Sequence, residues 1–386
     1  MGYVHVDILT SQSAKRPGAP CGDVVAYDRT PRGTTLVCCD GMGSGIRANI
    51  AATMTVSRLH ELLRRDFSLR EAVARVSRTL VEARERDLPY ACFAVARINT
   101  DGEGTVLSYE MPPAVFISAR RFATGLPRRP LVLDGAMVHE TSCCLAPGEA
   151  LLLVSDGITQ AGLGTTHHDG WTIDGVCAYV NARLTAGLPL EALPASVQTE
   201  ARNLSLDLGR IPQGDDCTVA LARCRAGNLL VVLTGPPPDR EQDDVVMQRF
   251  LRMPGRKVVC GGTTARILAR HTRQRIDVRQ DTDSLIAPPD YILSGVDLAT
   301  EGAVTLNQAF NILDEDPQRY ERATGVSRLC ELLREADRIT FLVGRTNDDH
   351  GDIRFRQRGI LPRETIVPLL ADKLRASGKL VTLEYL

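Results

Sequence analysis

A run of Thr34-Thr35-Leu36-Val37-Cys38-Cys39 breaks into Asp40-Gly41-Met42-Gly43-Ser44-Gly45, and a helical period begins at Ile46. The first stretch reads as a buried strand. The second is a glycine-rich bend that carries an acid at the strand's end. Glycine lets the backbone turn with positive φ and lets a ligand come close to the main chain. A carboxylate and an uncovered carbonyl presented together suit a hard cation such as magnesium or manganese.

Two helical stretches follow over about residues 45–85. Ile46, Ile50, Met54, Leu59 and Leu62 fit one helix face, and Leu69, Val73, Val76 and Leu80 form a second stripe. Ser68 with Glu71 predicts a capping box at the second start. Strand-like runs come next: Ala91 to Ile98, Thr105 to Tyr109, Ala114 to Ile117 after Met111-Pro112-Pro113, and Ala150 to Val154. Helical patterns at about 172–184 and 189–205 precede a strand over Asp216 to Cys224. Many strands with blocks of helices predict an α+β sandwich rather than alternating βαβ units.

A second region begins near Asn228 and predicts a compact α/β domain. The division is 1–226 and 227–386, and the length allows for about two or three domains. In the second region Leu229 to Leu233 and Val258 to Cys260 read as strands, and Ala265 to His271 as a helix. Further apolar runs lie at Ile339 to Val343 and Leu380 to Leu383, with helices near 325–336 and 364–376. Gly261-Gly262-Thr263-Thr264 lies between a strand and a helix. A helix N-terminus can hold an anion, but an ordinary βα turn capped by threonine is the favoured reading.

Bulk properties narrow the function. A net charge of −1 gives no sign of a nucleic-acid or anionic-membrane binder. No segment approaches the roughly 18 consecutive apolar residues of a membrane span. No cationic start with an apolar block opens the chain, so a secretory signal is not expected. The 11 cysteines are an odd number, scattered without a CxxC, and most lie in apolar runs. They predict a reducing cytoplasm, no disulfide framework and no zinc site.

Four aspartates share one context. Asp23 follows Gly22, Asp40 precedes Gly41, Asp156 precedes Gly157 at a strand's end, and Asp215 follows Gly214 before a strand. For any one of them alone, a turn role is the ordinary reading. Taken together, they are acids that a rigid sheet could aim into one cleft. Carboxylates so gathered cannot all stay ionised without counter-charge. A pair of divalent metals would supply it, lower the pKa of a bridging water and hold a phosphoryl group.

Gly22-Asp23, Asp40-Gly41-Met42-Gly43-Ser44-Gly45, Ser155-Asp156-Gly157 and Gly214-Asp215-Asp216-Cys217-Thr218 resemble the successive metal motifs of PPM-family serine/threonine phosphatases. They most resemble the bacterial branch of stage II sporulation protein E and the stress-regulator phosphatases. Met111-Pro112-Pro113 is similar to that branch's Pro-Pro turn. The resemblance covers about residues 1–225. It implies a PPM-type β-sandwich flanked by helices, with an accessory α/β domain of unknown role behind it. It also implies that Asp40 bridges two divalent cations, Mn2+ or Mg2+. The Gly41 carbonyl and Asp23 would serve the second metal, and Asp156 and Asp215 the first. Asp216 stands where relatives carry Asp or Asn and would support the ligands from behind. Some PPM enzymes grip phosphate with an arginine four residues before the first acid, where this chain has Ala19, as the bacterial branch does without it. Lys15 or Arg16 could take that part.

By this resemblance the chain is a cytoplasmic, metal-dependent protein phosphatase acting on phosphoserine or phosphothreonine in a signalling pathway. Its implied substrate is a phosphoprotein such as an anti-sigma-factor antagonist, attacked directly by metal-bound hydroxide. The non-catalytic alternative keeps the fold as a binding or regulatory module. Two other readings rank lower. Gly43-Ser44-Gly45-Ile46-Arg47-Ala48 matches the dinucleotide fingerprint, but helix follows where a second strand should end in an acid. Cys217 and Arg223 have the C-x5-R spacing of cysteine phosphatases, but the intervening residues are strand-like.

Overall fold

The computed structural model describes residues 3–16, 18–164, 167–206, 214–279, 290–316, 324–344 and 359–386. The chain divides into two compact units, Met1–Ala226 and Gly227–Leu386.

In the first unit the strands are β1 (Val4–Ser13), β2 (Val24–Thr30), β3 (Gly33–Gly41), β4 (Ala91–Asn99), β5 (Glu103–Tyr109) and β6 (Val115–Ile117). They continue with β7 (Ala123–Gly125), β8 (Arg129–Leu133), β9 (Ala136–Cys144), β10 (Ala150–Val154) and β11 (Cys217–Ala226). They form two antiparallel sheets, ordered β1-β11-β10-β6-β7 and β2-β3-β4-β5-β9-β8. The helices are α1 (Ile46–Arg64), α2 (Leu69–Glu85), the short α3 (Asp156–Thr159), α4 (Thr172–Thr185) and α5 (Leu193–Leu206).

Strand periodicity explains the layering. Successive side chains of a strand point to opposite faces. Leu36 and Cys38 of β3 pack with Leu151, Leu153, Ala220 and Ala222 between the sheets. Their neighbours Val37 and Cys39 turn the other way, against Val56, Leu59, Val73 and Val76 of α1 and α2. Leu152, Val154, Val219 and Leu221 meet Val176, Val180 and Val197 of α4 and α5. Central strands are therefore buried on both faces, which is why they read as unbroken apolar runs.

The sequence misplaced the buried face of α1. That face is Ala48, Ala52, Thr55, Val56 and Leu59, whereas Ile46, Ile50 and Met54 are 65%, 52% and 68% exposed. Small residues let α1 lie close on β3, and the larger aliphatics point outward. The capping box at Ser68 is present: the Glu71 amide donates to Ser68 Oγ at 3.2 Å and the Ser68 amide to Glu71 Oε2 at 2.9 Å. The helix expected from 189 begins instead as a 3-10 turn, Leu190–Ala192, before α5.

The second unit carries β12 (Leu229–Thr234), β13 (Arg256–Cys260), β14 (Asp277–Arg279), β15 (Asp290–Ile292), β16 (Leu298–Thr300), β17 (Arg338–Val343) and β18 (Leu380–Tyr385). Its helices are α6 (Asp243–Arg252), α7 (Gly262–Thr272), α8 (Ala303–Ile312), α9 (Gly325–Glu335) and α10 (Arg363–Ala376). The sheet order is β14-β15-β16-β13-β12-β17-β18. From β16 to β18 all neighbours are parallel, and β14 and β15 add an antiparallel edge. The faces are covered separately: α8, α9 and α10 pack on one, α6 and α7 on the other. This is a doubly wound sheet whose strand order reverses between β12 and β17. No helix among the described residues is long and apolar enough to cross a membrane.

Candidate active site

The acids of the first unit come from four loop ends. Asp40 closes β3 and Asp23 immediately precedes β2. The β2–β3 ladder ends at Val24↔Cys39, so one further step puts Asp23 opposite Asp40. On the other sheet, β10 and β11 pair as far as Val154↔Val219. The Ser155 amide donates to the Thr218 carbonyl at 3.0 Å, and the Thr218 amide to Ser155 Oγ at 2.9 Å. This continued pairing carries Asp156 and the Asp215-Asp216 pair to the same end of the sandwich.

Close approach here depends on missing side chains. A Cβ on Gly22 would stand 2.7 Å from Asp216 Oδ2 and 2.9 Å from Ala48 Cβ. A Cβ on Gly157 would collide with the Asp216 carbonyl. The glycines beside the acids are thus what lets the two sheet ends meet.

Charge shows how tightly the acids are gathered. Burial raises Asp40 to about 10, reinforced by Asp23, by Asp156 through charge and a shared hydrogen bond, and by Asp215. Asp23 is 3% exposed. Burial raises it to about 6, with Asp216 and Asp156 adding to the effect while the Thr218 and Ser155 hydroxyls oppose it. Those hydroxyls face the carboxylate, yet neither Asp23 oxygen has a hydrogen-bond partner of normal geometry among the described residues. Buried carboxylate oxygens without donors are costly, and a cation is the partner that would satisfy them. The donor set, carboxylates with a nearby backbone carbonyl, fits hard divalent cations.

Asp216 sits differently. Its Oδ1 accepts from the Lys15 amide at 2.6 Å and its Oδ2 from the Gly22 amide at 2.9 Å. It anchors the loop leading to Asp23. Beside the acids lies a cavity of about 210 Å³ lined by Lys15, Gly157, Gln160, Gly162, Ser205 and Asp215. Lys15 Nζ is 3.5 Å from Asp215 Oδ1, and Gln160 donates to Asp156 Oδ2 at 3.1 Å.

Sequence reasoning missed Gln160 and Cys21. Gln160 is four residues beyond Asp156, on the turn that α3 makes, and only the helix beginning at Asp156 brings it back. Cys21 carries no motif that marks it in the sequence. It is only partly buried, and its Sγ and oxygens of Asp23 and Asp216 all lie within 4.8 Å of one another. The C-x5-R alternative fails physically. Cys217 is buried in β11 and burial pushes its thiol up to about 12, so no thiolate is available. The dinucleotide alternative fails as well, because the strand before Gly43 is paired only antiparallel.

Two antiparallel sheets packed face to face between helix pairs, with an acidic cleft at one end, define a PPM-type phosphatase fold. The stage II sporulation protein E (SpoIIE) family model matches residues 30–225, just over half of the chain. The chain belongs to the SpoIIE family.

Similar solved structures include the phosphatase domain of SpoIIE from Bacillus subtilis with a fragment of its regulatory domain. That match has 20% identity and a TM-score of 0.47, covering 58% of this chain and 65% of that one. The RsbU and RsbW domains of a Mycobacterium tuberculosis protein match at 18% identity and a TM-score of 0.48, covering 65% and 70%. RsbX in complex with magnesium matches at 15% identity and a TM-score of 0.41, covering 57% and 99%. The chain thus spans less than two thirds of the first of these structures. No curated protein matches it.

Proposed function

We propose that this chain hydrolyses phosphoserine or phosphothreonine on a protein substrate. In this reading Asp23, Asp40, the Gly41 carbonyl, Asp156 and Asp215 hold two divalent cations, Mn2+ or Mg2+. When bound, such a pair would supply the charge that activates water and grips a phosphoryl group.

The chain's own groups do the rest. Asp216 fixes the Asp23 loop through two backbone amides. Gln160 orients the Asp156 carboxylate. Lys15 lines the adjoining cavity with its Nζ 3.5 Å from Asp215 Oδ1, and in this reading its charge would meet a phosphate oxygen there. The observation that carries the reading is the convergence of acids from opposite sheets on Asp23, a buried carboxylate whose oxygens have no hydrogen-bond partner of normal geometry among the described residues.

The substrate we favour is a phosphorylated anti-sigma-factor antagonist, on the strength of the family. Gly41 packs directly against the Ala48 carbonyl in the first turn of α1. Any partner that shifted α1 would therefore shift Asp40 and Gly41. Residues 227–386 are an accessory domain that could exert such control.

The test is hydrolysis of p-nitrophenyl phosphate and of phosphoprotein with manganese, comparing the parent with Asp40→Asn and Asp156→Asn. Metal-stimulated turnover lost in both variants supports the enzyme. No turnover with any divalent metal on either substrate favours the silent binding module instead.

A further inference from the structure

At the carboxyl edge of the second unit's sheet, each of four adjacent parallel strands runs into a glycine. Gly235 follows β12, Gly261 follows β13, Gly302 lies two residues past β16, and Gly344 follows β17. They converge. A Cβ on Gly344 would collide with the Pro236 carbonyl, and one on Gly302 would lie 3.5 Å from Gly261 Cα and 3.9 Å from Arg363 Nη2. A Cβ on Gly235 would collide with the Arg363 guanidinium. Arg363, the first residue of α10, thus lies along a trough of bare backbone and donates to the Gly344 carbonyl at 3.4 Å. The trough spans the point where strand order reverses between β12 and β17, the place where open α/β sheets form a crevice for ligands.

Three threonine hydroxyls at this edge are buried and without a hydrogen-bond partner among the described residues: Thr234 at the end of β12, Thr264 in the first turn of α7 and Thr305 in the first turn of α8. Thr264 is 1% exposed. Its Oγ1 lies 3.1 Å from where a Gly261 Cβ would stand, a point also 4.0 Å from the Gly235 amide nitrogen. The hydroxyl therefore faces into the trough. The threonine cap expected of Gly261-Gly262-Thr263-Thr264 is not made. α7 begins at Gly262 with Gly261 as its cap, and no side chain closes it. The N-termini of α7 and α8 sit side by side here, and both concentrate positive potential. A cationic side chain, two helix N-termini, bare glycine backbone and an unused hydroxyl are the donors that anions use.

We propose that this edge binds a phosphate group, with Arg363 turning from the trough to clamp it and Thr264 and the first amides of α7 donating to it. At the rim the Glu301 carboxylate accepts from the Tyr291 hydroxyl and lies beside Gly262. An acceptor there suits a sugar hydroxyl, so the phosphate could arrive free or on a nucleotide.

The experiment is isothermal titration of the full chain with inorganic phosphate, with ADP and with adenosine. EDTA is present throughout, so the acidic cleft of the first unit holds no metal. Phosphate or ADP binds and adenosine does not. Arg363→Lys and Thr264→Val each weaken binding about tenfold or more, while Thr264→Ser, which keeps the hydroxyl, binds like the parent. Arg363→Lys keeps the charge and the stem of the side chain, so the fold survives. ADP binding without phosphate binding assigns a nucleotide, and comparable binding of both assigns the anion itself. Absence of binding by both at millimolar concentration overturns the proposal. So does binding that Arg363→Lys and Thr264→Val leave unchanged.

Discussion

The Gly22 amide donates to the Asp216 carboxylate at 2.9 Å, joining residues 194 positions apart in the chain. The Lys15 amide takes the other oxygen. The carboxylate thus holds the Asp23 loop without being spent on Asp23 itself. Asp216→Asn would turn an amide NH2 toward one of these backbone donors and remove the charge. We expect manganese affinity to fall about 10- to 100-fold, the usual cost of losing a group that orients metal ligands. Calorimetric titration of manganese into parent and variant measures it.

Gly41 and Gly43 should differ sharply although both lie in the same bend. A Cβ on Gly41 would collide with the Ala48 carbonyl, so α1 must move. Gly43 has φ +103 but open space around it. Gly43→Ala should cost about 1 kcal/mol through backbone strain. Gly41→Ala should cost about 1–3 kcal/mol or more through overpacking, and metal-stimulated hydrolysis should fall with it. Thermal unfolding of both variants tests the order.

The metal-free protein should lose stability as pH rises. Folding raises Asp23 to about 6 and Asp40 further, whereas an unfolded aspartate titrates near 3.9. Above about pH 4 the folded state therefore holds protons that the unfolded chain has released, and its advantage shrinks as pH climbs through the folded values. In EDTA the urea midpoint should be higher at about pH 5 than at about pH 7.5. Asp23→Asn should flatten the difference, and saturating manganese should abolish it. A higher midpoint at the more alkaline pH would contradict the argument.

Ser68→Ala removes the side-chain acceptor of the Glu71 amide and half of the capping box. The unfolding free energy should fall by about 1 kcal/mol. Turnover per folded molecule should not change, because Ser68 begins α2, away from the acids. Urea denaturation with a parallel activity assay checks both parts.

The acids were legible because each sits beside a glycine at the end of an apolar run, and both signals are local. The sandwich was legible for a similar reason: runs such as Leu36–Cys39 and Ala150–Val154 are continuous because both faces are buried. The outward face of α1 was not legible. Periodicity marks a stripe but does not say that Ala48 and Ala52, rather than Ile46 and Ile50, meet the sheet. That choice depends on how closely β3 approaches, a tertiary fact. Gln160 and Cys21 were missed because their partners Asp156, Asp23 and Asp216 become neighbours through turns and through pairing of distant strands. β7 and β8 lie at sheet edges and are only partly buried, so they lack the unbroken apolar runs of the central strands.

The central claim is that Asp23, Asp40, Asp156 and Asp215 together hold a pair of divalent cations. Diffraction from a manganese-soaked crystal at the manganese absorption edge tests it most directly. The account predicts two anomalous peaks between these four side chains, with the Asp40 carboxylate touching both. No peak there, or manganese bound only elsewhere on the chain, would contradict it.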